Sequence, residues 1–136
     1  MKRLLCVIAT LLLAACATDK PQGDLLEQTL DSYESTLRFS GDLTQAVGFL
    51  DPEWLATNPI PELELERLRQ VLVTGYQPGD VQMIDELHCL QVVRMDIVNN
   101  HTQQVRSVID RQEWRYDDAA KRWWLTSGLP NINTAR

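Results

Sequence analysis

Apolar positions along this 136-residue chain change period once, and the change divides it into a helical half and a stranded half. From Asp24, Leu25, Leu26, Leu30, Tyr33 and Leu37 recur at three-to-four spacing, the stripe of an amphipathic helix. Asp24 is placed to cap its first turn, and Glu27 three residues later completes a capping-box pattern. Ser40-Gly41 interrupts, after which Ser40 or Asp42 caps a second short helix through Leu43, Ala46, Val47 and Leu50. Pro52, Pro59 and Pro61 break the next stretch and leave room for one turn around Trp54. A third helix is expected from Pro61, where proline suits the first turn. Its buried side would hold Leu63, Leu65, Leu68, Val71 and Leu72, with Gly75 closing it and Pro78-Gly79 making a hard turn.

After Gly79 the period falls to two. Leu87, Cys89, Gln91, Val93, Met95 and Ile97 alternate with His88, Leu90, Val92, Arg94, Asp96 and Val98, predicting a long strand covered on much of both faces. Asn99 to Thr102 is a turn, and Gln104 to Tyr116 a second strand. On that strand Val105, Ser107 and Ile109 share one face, while Arg106, Val108, Asp110, Trp114 and Tyr116 share the other. A short loop at Asp117 to Lys121 leads into a third strand, Trp123 to Thr126. Helices first, then an antiparallel meander, argues for one α+β domain over residues 24–136, with N-terminal helices packed on a curved, cone-like sheet.

The closing hairpin runs Gln112-Glu113-Trp114-Arg115-Tyr116, an acidic turn, then Arg122-Trp123-Trp124-Leu125. With the helices before it, this arrangement resembles the nuclear-transport-factor-2-like (SnoaL-like, cystatin-like) superfamily over about residues 24 to 130. The resemblance implies a sheet wrapped round its helices with a pocket open at one end. Members of that superfamily are dehydratases, isomerases or polyketide cyclases, or else binders, or dimerising scaffolds. Fold therefore does not choose the function.

The N-terminus supplies an address. Lys2 and Arg3 precede Leu4 to Ala15, in which only Thr10 is polar, as in the n- and h-regions of an export signal. That run is shorter than the ~20 apolar residues a membrane-spanning helix needs. Leu13-Ala14-Ala15-Cys16 resembles the bacterial lipobox. The resemblance implies that residues 1–15 are removed as a lipoprotein signal peptide and that palmitate-type acyl chains are attached at Cys16. Durable anchoring takes at least two such chains, at about 0.8 kcal/mol per buried methylene. In the sorting scheme of such lipoproteins an Asp after the lipidated Cys retains the protein in the inner membrane, so Ala17 implies the periplasmic face of the outer membrane. Residues 16–23 then read as lipidated Cys and tether, with Thr18 to Gly23 polar and carrying both Pro and Gly.

Charge and cysteine content narrow what the domain does. The whole chain carries 13 Lys+Arg against 19 Asp+Glu; without Lys2 and Arg3 the basic count is 11 and the net charge −8. Such a body lacks the clustered cations that nucleic acid requires, so no nucleic-acid partner is expected. Of three Cys, Cys6 leaves with the signal and Cys16 is lipidated, so the mature chain has no pair for a disulfide. Cys89 reads as a small buried hydrophobe, without a His or carboxylate spaced to activate it.

Candidate chemistry is sparse. His88, Arg94 and Asp96 share one strand face by parity, and Asp110 is placed to lie across from them on the next strand. Lining a cone interior, Asp96 or Asp110 would serve as base, with Tyr33 or Tyr76 as hydrogen-bond donor. A surface ladder of opposite charges accounts for the same spacing. His88 and His101 show no metal-ligand pattern, and no nucleophile elbow or phosphate loop is present, so no metal or cofactor is expected. Trp123 and Trp124 are adjacent and must point to opposite sheet faces, one toward the core and the other open to a partner or a second copy. The sequence thus points to a non-enzymatic binding or scaffolding lipoprotein for a protein partner or small apolar ligand. The alternatives are an acid/base enzyme of the dehydratase or isomerase type, and a secretion or assembly accessory.

Overall fold

The computed structural model describes residues 21–133. The expected signal peptide, Cys16, Ala17 and the expected tether up to residue 20 lie outside the described residues. Helix α1 spans Gln22–Phe39 and buries Leu26, Tyr33 and Leu37, one stripe of the pattern above. Each such side chain contributes about 2 kcal/mol by leaving water. The helix begins two residues before Asp24. Its N-cap is Pro21, which makes no side-chain cap bond, and Asp24 sits within the first turn as an acid at the positive helix end.

Asp42 caps a 3₁₀ segment, Leu43–Phe49, accepting from the Thr44 amide at 2.8 Å. Asp51 caps α2 (Pro52–Thr57) in the same way through the Glu53 amide at 2.9 Å. Helix α3 covers only Glu62–Leu68.

Val71 and Leu72 do not continue α3; they open strand β1, Val71–Pro78. Three consecutive apolar residues, two of them β-branched, find ladder partners in Asn99, Val98 and Ile97, and that pairing overrides the helical spacing. With the helix cut short, Leu63 is left 62 % exposed. Gly75 terminates nothing. It sits beside a register shift in β1, where an added Cβ would lie 2.9 Å from the Asp96 carboxylate.

The sheet is antiparallel in the order β1-β3-β4-β5 and is strongly curled into a half-barrel, with the helices at its N-terminal side. Its long members are β3 (His88–Asn99) and β4 (Val105–Asp117), and β5 is Arg122–Leu125. A two-residue strand, β2 (Gln82–Met83), continues the β1 edge along β3 after Gly79. On β3, Cys89, Gln91, Val93, Met95 and Ile97 face inward; on β4, Val108, Asp110, Gln112, Trp114 and Tyr116 do. Tyr33 of α1 sits edge-on to Trp114 at 5.2 Å and to Phe49 at 5.3 Å, so aromatic rings fill the curl where helix meets sheet.

Candidate functional site

The register of β3 on β4 separates the residues that sequence parity had grouped. His88 pairs with Arg115, Arg94 with Ile109 and Asp96 with Ser107, all on the outer face. Asp110 pairs with Val93, which places it on the inner face, away from the other three. His88 is held by the Asp85 carboxylate at 2.8 Å, and that bond is the main cause lowering the Asp85 pKa. Asp96 accepts from the Ser107 hydroxyl. These are exposed or half-exposed pairs of the kind that adds a few tenths of a kcal/mol.

The inner face holds a different cluster. Gln112 is fully buried, and its Nε2 donates to Asp110 Oδ2 at 2.9 Å and to the Tyr76 hydroxyl at 3.1 Å. Burial pushes the Asp110 carboxyl up to about 6, against a smaller opposing effect of the Gln112 bond. Burial likewise pushes Tyr76 up to about 12 and Tyr33 well above the ordinary phenol range, with the Asp110 charge adding to both. The Tyr33 hydroxyl, Gln112 Oε1 and Trp114 Nε1 are buried without a hydrogen-bond partner among the described residues. Asp110 and the two tyrosines therefore share one interior. Gln112 and Gln91, the latter donating to the Gly79 carbonyl at 2.9 Å, belong to the same buried polar layer. Gln91 falls in the same alternating set as Cys89 and Val93, and Gln112 shares parity with Asp110 and Trp114, but alternation alone does not say which set faces inward.

A groove of about 220 Å³ runs between α1 and the β1 edge. Leu26, Leu30, Tyr76, Pro78 and Val81 supply its apolar walls, and Gln91 closes its inner end. Glu27, Asp31 and Glu34 follow one another along its α1 side at helical spacing. Glu34 is paired with Arg38 at 2.8 Å, whereas Glu27 and Asp31 have no cation partner among the described residues. Of the interior cluster, only Tyr76 and Gln91 reach this groove. Asp110, Gln112 and Tyr33 lie behind them and do not line it.

No protein-family model matches this chain, and no curated protein or solved structure resembles it significantly.

Trp123 and Trp124 divide as their adjacency requires. Trp123 is 1 % exposed and donates to the Gln22 carbonyl at 3.1 Å, tying β5 to the start of α1. Trp124 is half-buried on the outer face, where the Arg122 guanidinium lies 3.6 Å above its ring and Asp117 accepts from its Nε1 at 3.2 Å. Cys89 is buried, and burial pushes its thiol up to about 11, which leaves it protonated and inert at neutral pH. Among the described residues no group of three or more His, Cys, Asp or Glu is arranged to hold a metal ion. No helix among them is long and apolar enough to cross a membrane.

Proposed function

We propose that the chain is a lipoprotein anchored through Cys16 at the periplasmic face of the outer membrane, whose cone-like domain binds rather than catalyses. The observation that carries the binding reading is the groove beside α1, with apolar walls and a line of carboxylates. Such a site takes an aliphatic or aromatic group, and Glu27 and Asp31, without a cation partner among the described residues, favour one that carries positive charge nearby. A basic, amphipathic segment of a protein partner has this chemistry, as does a small apolar ligand bearing an amine. The filled interior speaks for binding as well. Trp114, Trp123 and Tyr33 are buried within the curl, where the resemblance noted in the sequence implies a pocket.

A second reading is favoured by one observation, the buried Asp110 between two phenols with its carboxyl near 6. Groups tuned toward neutrality inside a fold are candidates for acid/base work. For Asp110 to act, Tyr76 and Gln91 must first move aside to admit substrate.

A photo-crosslinking residue placed at Leu30, in the groove, and separately at Ile109, on the outer sheet face, tests the first reading in the full-length chain in its own membrane. Adducts from position 30, weakened by the double change Glu27→Gln and Asp31→Asn, are expected. Adducts from position 109 alone would move the binding surface to the sheet.

A further inference from the structure

Four large apolar side chains stand exposed within seven residues: Val81, Met83, Ile84 and Leu87 are 38, 53, 65 and 44 % accessible. Several of the other exposed apolar residues are isolated or lie beside charges. Val92 and Ile109 stand opposite Arg111 and Arg94, and Phe39 lies under the Arg38 guanidinium. The 81–87 segment is also rigidly held. The Ile84 amide donates to the His88 carbonyl at 2.9 Å, the Leu87 amide to Asp85 Oδ1 at 2.8 Å, and the Tyr116 amide to the Leu87 carbonyl at 2.7 Å. These bonds tie down the backbone of the turn while its four apolar side chains stay accessible.

Its position is equally specific. Gln22, the first residue of α1, donates through Nε2 to the Glu86 carbonyl, and the Trp123 indole holds the Gln22 carbonyl from the other side. The apolar turn therefore abuts the point where the chain enters the domain. Only five residues, Ala17 to Pro21, separate Cys16 from Gln22. Fully extended, six residue steps reach at most about 21 Å, so a lipidated Cys16 would hold the start of α1 within that distance of the lipid surface.

We propose that Val81, Met83, Ile84 and Leu87 form a second membrane contact, seated on the phospholipid surface that holds the acyl chains of Cys16. This inference rests on the lipoprotein reading given above. The lipid chemistry that fits is zwitterionic. Asp80, Asp85 and Glu86 flank the apolar residues; Asp85 is hydrogen-bonded to the His88 ring, and Asp80 and Glu86 have no cation partner among the described residues. Anionic headgroups would repel these two. With the turn seated, Val81 belongs both to the lipid contact and to the groove wall, so the groove lies beside the headgroups. A contact of this kind fixes the orientation of the domain, which a tether alone leaves free.

The full-length lipidated chain, bearing a polarity-sensitive dye at Ile84→Cys or, as control, at Ile109→Cys, is reconstituted into phosphatidylcholine–phosphatidylethanolamine vesicles. Cys89 is too buried to take the label. The proposal expects blue-shifted emission at position 84, lost when lipids brominated in the upper acyl chain are included, and water-like emission at 109. Water-like emission at both sites, from chains that still float with the vesicles, overturns the second contact and leaves the anchor standing. A blue shift at 84 that brominated lipid does not quench overturns it too, and assigns the turn to a second copy of the chain. Failure to float removes the anchor reading, and the second contact falls with it.

Discussion

The two faces of the β3–β4 pair are built from the same alternating pattern, yet they carry polar residues in opposite ways. On the outer face, His88, Arg94 and Asp96 stand in or near water with local partners or none, and their charges cost little to keep. On the inner face, one residue out of step with them, Asp110 and Gln112 are sealed beneath Tyr33 and Tyr76, where every missing hydrogen bond is expensive. The difference teaches that parity says which residues travel together, whereas register and curl decide what the company means.

Breaking the inner face has the largest effect. Trp114→Ala removes a ring that is 1 % exposed and packed on Tyr33 and Phe49, and should cost about 4 kcal/mol in chemical denaturation. A loss below 1 kcal/mol would mean that the curl is not closed around this ring.

Asp110 sharpens the contrast through pH. Its folded pKa near 6 lies above the ordinary carboxylate value of 3.8, so the native state holds this proton more tightly than the unfolded chain does. The stability it contributes is fully present below about pH 4 and is lost as pH rises through 6, about 3 kcal/mol in all. Asp42, Asp85 and Asp117 are shifted downward and run the other way, losing stability as pH falls through their lowered values. The signature is therefore a difference: wild type minus Asp110→Asn should decline between pH 4 and pH 7. A flat difference would place Asp110 in contact with solvent.

The link between helix and sheet comes next. Asp51 is 3 % exposed, caps α2 and accepts from Arg115 Nη2 at 2.7 Å and Nε at 2.9 Å. Asp51→Ala should lower stability by about 2 kcal/mol, read from the urea midpoint. The outer face should barely respond. Arg94→Ala and His88→Ala are expected to stay within about 0.5 kcal/mol of wild type in the same assay.

Much of the fold is legible in the sequence because its long elements are strongly periodic. The α1 stripe, the alternation of β3 and β4 and the Asp117–Lys121 hairpin all follow from spacing and turn residues. Val71 to Gly75 misleads because Leu68, Val71 and Leu72 keep helical spacing, while their strand partners lie more than twenty residues downstream in β3. The interior cluster is half legible. Asp110, Tyr33 and Tyr76 stand out as a carboxylate and two phenols on apolar faces, but joining Asp110 to His88 and Asp96 required a register that alternation cannot supply. The groove beside α1 and the apolar turn at 81–87 were not legible. Both arise where segments distant in the chain meet, as Gln22 meets Glu86.

The proposed membrane anchoring and the second membrane contact hang on Cys16, so the most direct measurement is the intact mass of the full-length chain extracted from bacterial membranes, beside Cys16→Ser. The account predicts a chain that begins at Cys16 and carries the mass of two or three fatty acyl groups, absent from the variant. An unmodified chain that still begins at Met1 would contradict it.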